Sequence, residues 1–161
     1  MAALGLSSDG VIASMRPGAV WADLSTNDLE CGRKLLEAAR SHGIGLLDCP
    51  VTGGTEGAEA GTLLLMVGGD SSVLDQVRPV LNAIGTSELL GTNGAGYTAK
   101  ISQVTLCYLN SVCLTEALLL GAKGGVDPAN MLDIIRNSTG ASYVADHYGP
   151  AIIAGDDDPS F

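Results

Sequence analysis

The chain has 161 residues, of which 46% are hydrophobic and 16% are charged, and its formal net charge is −10. This composition is typical of a globular α/β protein and argues against a disordered chain. The acidity leaves no basic patch for a phosphate backbone, so we expect no nucleic-acid partner.

The cysteines, Cys31, Cys49, Cys107 and Cys113, show no CxxC spacing. Three of them lie inside apolar runs, where a small buried side chain fits. We therefore expect reduced thiols in a cytoplasmic protein, and no metal site. Mitochondria are the alternative location, because a targeting segment would precede Met1. No signal peptide is visible at the start of the sequence.

Short apolar runs alternate with helical patterns over residues 1–92. Alternation of this kind favours an α/β fold with a mostly parallel sheet. The second run is continuously apolar, as expected for a strand that is covered on both faces. The predicted strands are Ala19–Leu24, Ile44–Cys49, Leu63–Val67 and a short one at Glu88–Leu90.

Helix-start signals follow two of these strands. Asn27 with Glu30 three residues later predicts an N-cap and its reciprocal partner, for a helix that runs to Gly43. A cap at Ser71 or Ser72 predicts the next helix, which Pro79 would kink.

The composition changes after Gly94. The segment Tyr97–Gly121 carries only two charged residues, Lys100 and Glu116, and its apolar residues lie nearly all round the helix. We interpret it as a long helix buried between packed domains, in preference to a membrane span, and expect no membrane partner. Further helices are predicted from Asp127-Pro128 onward and over residues 142–154.

The glycine-rich stretch Asp48–Asp70 joins the second and third predicted strands. Glycines permit positive φ and let a group approach the main chain, so backbone N–H groups at Gly53 and Gly54 could face an anion. The competing interpretation is a tight turn with a closely packed short helix. The glycine pattern alone leaves both open.

Lys100 lies within two turns of the start of the long apolar helix. Desolvation and the positive end of the helix dipole both disfavour a charge there, and a lysine that loses its proton readily suits a general acid/base. The alternative is a lysine whose head reaches water. The preceding turn, Gly94-Ala95-Gly96, has the form of a dinucleotide fingerprint, but no βαβ unit follows it, so we do not assign nucleotide binding to it.

Two motifs stand out in the sequence. The second is Gly94-Ala95-Gly96 with Lys100, and the first comprises Asp48–Gly54, Gly57-Ala58, Gly61-Thr62-Leu63 and Met66–Gly69. At a similar separation, they resemble the substrate signature and the catalytic-lysine motif of the β-hydroxyacid dehydrogenase family, which includes 3-hydroxyisobutyrate dehydrogenase and tartronate semialdehyde reductase and is related to 6-phosphogluconate dehydrogenase. The resemblance extends to the Asp158-Pro159-Ser160-Phe161 ending.

The resemblance implies roles for particular residues. Thr52, Gly53 and Gly54 would hold the substrate carboxylate, with threonine standing where the family has serine. Lys100 would be the general acid/base, and Thr26 would lie near the nicotinamide of NAD or NADP. The implied reaction interconverts a 3-hydroxy acid with its 3-oxo acid or semialdehyde by hydride transfer.

The chain departs from the family pattern one turn beyond the lysine. The family usually carries an asparagine or similar amide there, whereas this chain has Gln103 and Val104. Gln103 can still donate a hydrogen bond to substrate. A non-catalytic binding module that keeps the fold and the anion pocket is the alternative function.

The resemblance also implies an organisation in two parts. Residues 1–92 would be the C-terminal half of a Rossmann-type, mostly parallel sheet, and residues 93–161 a long interdomain helix with the start of an all-α domain. The family's phosphate-binding G-x-G-x-x-G turn would precede Met1. We therefore expect an internal portion of a longer protein, inactive alone and homo-oligomeric when full-length.

Overall fold

The computed structural model describes residues 1–156, so the predicted family-like ending at Asp158–Phe161 lies outside the described residues. The strands in this part of the chain are β1 (Val20–Asp23), β2 (Gly45–Asp48), β3 (Val51–Thr52), β4 (Leu63–Gly68) and β5 (Gly85–Gly91). The helices are α1 (Ala2–Leu6), α2 (Val11–Ser14), α3 (Leu29–Ser41), α4 (Gly54–Ala60), α5 (Ser71–Leu81), α6 (Ala95–Lys123), α7 (Pro128–Arg136), α8 (Tyr143–His147) and α9 (Gly149–Ala154).

The strands form one mixed sheet that is mostly parallel, which confirms the predicted fold class. β1 pairs with β2 and β4 pairs with β5 in parallel, whereas β4 meets β2 and β3 in short antiparallel contacts. The register places the ends of four strands in one row. That row is Asp23 opposite Asp48, Asp48 opposite Gly68, and Gly68 opposite Gly91.

The sheet is covered on both faces, as the continuous apolar run of β2 predicts. Neighbouring residues of a strand point to opposite faces, and Leu46 and Leu47 are both buried. Leu47 packs in a cluster with Leu65 and with Leu74 of α5, while Leu46 packs in another with Leu35 of α3. Burial of such leucine side chains contributes about 1.5–3 kcal/mol each to the stability of the fold.

Two predicted helix caps are wrong by one residue. Asp28, not Asn27, caps α3, and its carboxylate accepts the Cys31 N–H at 2.8 Å. Asp70, not a serine, caps α5 and accepts the Ser72 N–H at 2.8 Å. A carboxylate favours the positive end of a helix more than a neutral side chain does, so the neighbouring aspartate takes the cap.

Other local predictions have mixed outcomes. Asp127 caps α7 with Pro128 at its start, as predicted, through the N–H groups of Ala129 and Asn130. The strand predicted as short at Glu88–Leu90 is longer, because the parallel ladder with β4 begins at Gly85. The two-residue strand β3 has too little sequence for a detectable pattern.

The chain divides into two compact units. The first comprises Met1–Ser102, and the second begins at Gln103. In the second unit, Leu114 and Leu118 of α6 pack with Leu132 and Ile135 of α7 and with Val144 of α8.

The prediction that α6 is buried on most sides is wrong for this chain. Its most apolar 18-residue window is only 11% buried, and Cys113 is exposed although it lies in an apolar run. Among the described residues, α6 is the one helix long and apolar enough to cross a membrane by length and composition. The helix is apolar all round, but the described residues cover only part of its circumference. The large apolar residues exposed on it include Leu106, Tyr108, Leu109, Val112, Leu119 and Leu120.

Candidate active site

Two buried aspartates end neighbouring parallel strands. Asp23 closes β1 and Asp48 closes β2, and they are only 2% and 1% exposed. Buried carboxylates require hydrogen-bond donors, since an unpartnered charge in the interior is strongly destabilising. Asp48 takes its backbone donors from the start of α6, whereas Asp23 takes one donor, the Tyr97 hydroxyl, from that helix and the others from Ser25 and Asn27. The two aspartates therefore tie the helix to the sheet.

The Asp48 carboxylate accepts three backbone N–H groups from the beginning of α6. Its Oδ1 accepts from Gly94 at 2.9 Å, and its Oδ2 accepts from Gly96 at 2.8 Å and from Tyr97 at 3.2 Å. Asn93 adds a longer contact at 3.4 Å and donates to the Leu46 carbonyl at 2.8 Å. The first N–H groups of a helix have no intrahelical acceptor, so this distant carboxylate satisfies them.

Burial raises the pKa of both Asp48 and the adjacent Cys49. Desolvation raises the pKa of Asp48, and the N–H groups of Gly94, Tyr97 and Gly96 oppose that rise by stabilising the charged form. Desolvation also raises the pKa of the adjacent Cys49 thiol to about 12, with the negative charges of Asp48 and Asp23 adding to the effect. Cys49 is therefore a structural thiol, and it is fully buried in the sheet core.

Two glycines allow the close approach of α6 to the strand ends. A Cβ on Gly96 would lie 2.3 Å from the Met66 carbonyl oxygen, and a Cβ on Gly68 would lie 2.4 Å from an Asp48 carboxylate oxygen. A side chain at Gly96 would require movement of the backbone, and a side chain at Gly68 would displace the Asp48 carboxylate. In the fingerprint-like turn the N–H groups of Gly94 and Gly96 donate to the chain's own Asp48, and the N–H group of Ala95 donates to the Thr92 carbonyl.

Tyr97 makes the second link between α6 and the sheet. Its hydroxyl donates to Asp23 Oδ2, and its ring is 2% exposed. Asp23 Oδ1 also accepts the Ser25 hydroxyl at 2.6 Å. Desolvation, together with the hydrogen bond to Asp23, raises the pKa of the tyrosine, so it stays a neutral donor. Gly32 of α3 leaves room for the ring, since a Cβ there would lie 2.5 Å from it.

Thr26 follows Ser25 and is exposed just beyond the carboxyl end of β1. In an open α/β sheet, ligands bind beyond the carboxyl ends of the strands, so Thr26 lies at the edge where a ligand is expected.

The turn at Thr52–Gly54 joins β3 to α4. Gly53 and Gly54 have φ of 126° and 66°, which side-chain-bearing residues rarely adopt, and both are exposed. A Cβ on Gly54 would meet nothing within 4 Å, so open space lies in front of this turn. Thr52 is half-buried at the end of β3, and the first N–H groups of α4 follow it. This arrangement is suited to meeting a small anion.

The remaining glycines of the stretch have structural reasons. Gly61 ends α4 in the left-handed conformation. A Cβ on Gly57 would lie 3.2 Å from Leu63, and a Cβ on Gly69 would lie 2.5 Å from Leu47. At these positions glycine is explained by a tight turn or by close packing, without a ligand.

Lys100 is half-buried one turn beyond the anchored start of α6. Among the described residues it forms no hydrogen bond or ion pair, so its amine is available to a ligand. Gln103 is exposed a further turn along the helix, and Val104 is half-buried.

The predicted site residues are connected through Asp48 and Asp23, whose hydrogen bonds to α6 are not predicted by any local pattern in the sequence. Asp48 ends β2 and leads through Cys49 and Pro50 into the Thr52–Gly54 turn, and the same carboxylate holds the helix that carries Lys100. The hydrogen bond from Tyr97 to Asp23 likewise connects α6 to the end of β1, where the loop that carries Thr26 begins. No direct contact joins Lys100 to Thr26 or to the glycine turn among the described residues. The signal that could have indicated these aspartates is an acid at the end of each buried apolar strand.

The mixed, mostly parallel sheet with helices packed on both faces defines the class of the protein as a Rossmann-like α/β protein. Residues 2–104 match the family described as the NAD binding domain of 6-phosphogluconate dehydrogenase. Residues 94–161 match the family described as the NAD-binding domain of NADP-dependent 3-hydroxyisobutyrate dehydrogenase. The chain belongs to the β-hydroxyacid dehydrogenase family, which uses NAD or NADP, as the two motifs predict.

Curated relatives have related descriptions. The chain is 42% identical over 135 residues to 2-(hydroxymethyl)glutarate dehydrogenase of Eubacterium barkeri, covering 83% of this chain and 45% of that protein. It is 39% identical over 146 residues to 3-hydroxyisobutyrate dehydrogenase of Pseudomonas aeruginosa, covering 90% and 49%. It is 38% identical, over the same shares, to an NAD-dependent L-serine dehydrogenase of that organism. The chain spans about half the length of these relatives.

Solved structures agree with the fold. A 3-hydroxyisobutyrate dehydrogenase of Mycobacterium tuberculosis with L-serine matches with a TM-score of 0.77 at 37% identity, over 85% of this chain and 47% of that one. A 3-hydroxyisobutyrate dehydrogenase of Salmonella typhimurium matches with a TM-score of 0.84 at 27% identity, over 94% and 54%.

The described residues allow a limited test of their fit to a dinucleotide. Thr26 is exposed at the carboxyl end of a parallel strand, the edge at which ligands of open α/β sheets bind. The N–H groups of Gly94 and Gly96 do not suit the phosphates, because they already donate to Asp48.

Proposed function

We propose that the full-length protein is an NAD(P)-dependent oxidoreductase that interconverts a small 3-hydroxy acid with its 3-oxo acid or semialdehyde. The observation that carries the proposal is the pairing, within one compact unit, of an open positive-φ glycine turn with a half-buried lysine that has no partner among the described residues. The hydroxyacid dehydrogenases among the relatives support the same chemistry.

The glycine turn binds the substrate carboxylate in this proposal. The N–H groups at Gly53 and Gly54 and the hydroxyl of Thr52 donate to its oxygens, and the start of α4 adds a favourable dipole. The open space in front of Gly54 admits the carboxylate without a steric clash. Gln103, one turn beyond Lys100, donates a further hydrogen bond to the substrate.

Lys100 is the general acid/base. In the oxidation direction its neutral amine takes the hydroxyl proton, while the carbon that bears the oxygen loses a hydride and the C–O bond becomes a carbonyl. In the reduction direction its ammonium returns the proton to the developing alkoxide. NAD or NADP, when bound, accepts or supplies the hydride, and Thr26 lies beside its reactive end.

Replacement of Lys100 tests the proposal. Lys100→Ala in the full-length protein is expected to lower kcat by about 10²–10⁴-fold, the range for loss of a general acid/base, while cofactor affinity stays unchanged. Steady-state turnover of a panel of 3-hydroxy acids with NAD and NADP measures kcat, and calorimetric titration measures cofactor binding.

Lys123→Ala is the matched control, because Lys123 lies on the same helix in its last turn. It is expected to retain wild-type turnover. Equal activity of the Lys100 variant and the wild type would refute the catalytic role. A wild-type protein that binds the carboxylate and the cofactor without any turnover would instead support the non-catalytic binding module.

A further inference from the structure

We infer that Asp48 is a positioning residue, whose carboxylate fixes the first turn of α6 and thereby the location of the Lys100 amine at the substrate. The inference rests on the proposed function and assigns a role to a residue that acts through Lys100 without touching the substrate.

The contacts of Asp48 restrain α6 in two directions. Oδ1 holds the Gly94 N–H, whereas Oδ2 holds the Gly96 and Tyr97 N–H groups. Two oxygens that hold three donors between Gly94 and Tyr97 oppose both sliding of the helix along its axis and rotation about it. Lys100 follows Gly96 by four residues, or about 6 Å of helix rise, and therefore lies on the same face one turn later.

Helix formation alone does not require this distant carboxylate. Asp28, Asp70 and Asp127 each cap their own helix from the residue immediately before it, and their bonds to N–H groups are local. Asp48 reaches α6 from 46–49 residues away, and desolvation opposes its ionisation. A local aspartate would start the helix without that cost, so the distinct consequence of Asp48 is to set the helix against the sheet.

The hydroxyl of Tyr97 adds a second restraint on the same turn. It donates to Asp23, whose strand runs beside that of Asp48. Loss of this one bond leaves the Asp48 contacts in place. Tyr97→Phe is therefore a milder probe of the same device than any change at Asp48.

The test uses the full-length protein with Asp48→Asn, Tyr97→Phe, Lys100→Ala and both pairwise combinations with Lys100→Ala. Asparagine has the shape of aspartate, but its amide nitrogen cannot accept the Gly96 and Tyr97 N–H groups if its oxygen faces Gly94. Asp70→Asn is the control, since Asp70 caps a helix without touching α6. Circular dichroism and thermal unfolding identify the temperature range in which each variant is folded.

We expect Asp48→Asn to lower kcat by about 10–100-fold, as a displacement of the order of 1 Å would, without a change in KM for the cofactor. In the Lys100→Ala background the same substitution should have no further effect on kcat, because the group that it positions is gone. Tyr97→Phe should show a smaller decrease with the same non-additivity, and Asp70→Asn should show none.

Outcomes that overturn the inference differ from those that overturn the function. If Lys100→Ala lowers kcat as expected while folded Asp48→Asn retains wild-type kcat, or lowers kcat by the same factor in both backgrounds, the positioning role fails and the function stands. If Asp48→Asn does not fold, the Tyr97→Phe cycle decides by the same criterion. If wild type shows no turnover with any hydroxy acid, the function and this inference fail together.

Discussion

At the scale of single residues, buried groups beside Asp23 and Asp48 contribute to the dependence of stability on pH. Cys49 and Tyr97 are both buried there, and both have a pKa above its ordinary value. In each case the neutral form is the one that the fold accommodates. The folded protein therefore holds these protons to higher pH than the unfolded chain does.

This asymmetry predicts alkaline destabilisation. The Cys49 thiol has a pKa of 9.0 in the unfolded chain, and burial raises this pKa to about 12 in the folded protein. Over that window the native state binds more protons, so the free energy of unfolding falls as pH rises, by up to about 1.4 kcal/mol per pH unit for this group. Urea unfolding at a series of pH values from about 8 to about 11, which includes the pKa of an ordinary thiol, measures how the free energy of unfolding changes with pH.

Cys49→Ala isolates the contribution of the thiol. The variant should be less stable at neutral pH, because it loses a buried side chain, but its stability should fall less steeply above pH 9.0. Cys113→Ala is the control, since that cysteine is exposed. Parallel slopes for the wild type and the Cys49 variant would contradict the assignment.

At the scale of elements, the β3–α4 turn combines backbone geometry with binding. Gly54 has φ of 66° and no atom near its missing Cβ, so a side chain there meets conformational strain but no clash. Gly155, which ends α9, has the same φ and the same open surroundings. The two glycines share this φ and these open surroundings, and only Gly54 belongs to the candidate site.

Gly54→Ala and Gly155→Ala therefore form a matched pair. Each is expected to lower the free energy of unfolding by about 1–2 kcal/mol, the cost of placing a Cβ in the left-handed region. Only Gly54→Ala should raise KM for the hydroxy acid, because its N–H groups lose their alignment with the carboxylate. Thermal unfolding and steady-state kinetics of the full-length protein measure the two effects. An equal change in KM for both variants would remove the glycine turn from the site.

At the scale of the whole molecule, each compact unit has its own core. Leu65 lies in the sheet core of the first unit, and Leu132 lies among the helices of the second. Both are almost completely buried, at 0% and 4% exposure. The same substitution at these two leucines therefore compares the stability of the two units.

Truncation of either leucine to alanine should lower stability by about 2–5 kcal/mol, the cost of a buried cavity. Hydrogen exchange on the full-length protein should show the lost protection in the mutated unit. For Leu65→Ala these are the amides of β2 and β4, and for Leu132→Ala those of α7 and α8. Loss of protection spread equally over both units by each variant would show that they unfold as one.

The relatives place the whole molecule in a wider context. The chain covers about half the length of each, and the exposed apolar residues of α6 belong to this half.

The sequence by itself determined the order of the elements and the family. Apolar runs at 44–49 and 63–67 reveal buried strands because side-chain periodicity is local, and Asp127-Pro128 reveals a helix start for the same reason. The motif from Asp48 to Gly54 and its spacing to Lys100 predict the hydroxyacid dehydrogenase reaction, because both can be recognised in the sequence without knowledge of any distant contact.

Only the tertiary structure decided which strand ends meet and what holds α6. The Asp48 contacts join residues 46–49 apart, and no local pattern encodes such a pairing. The exposure of α6 was missed because an apolar helix looks the same in sequence whether neighbours cover it or not. The tertiary structure also distinguishes the surroundings of the glycines in the Asp48–Asp70 stretch. A Cβ on Gly54 would face open space, whereas Gly68 and Gly69 are confined by Asp48 and Leu47.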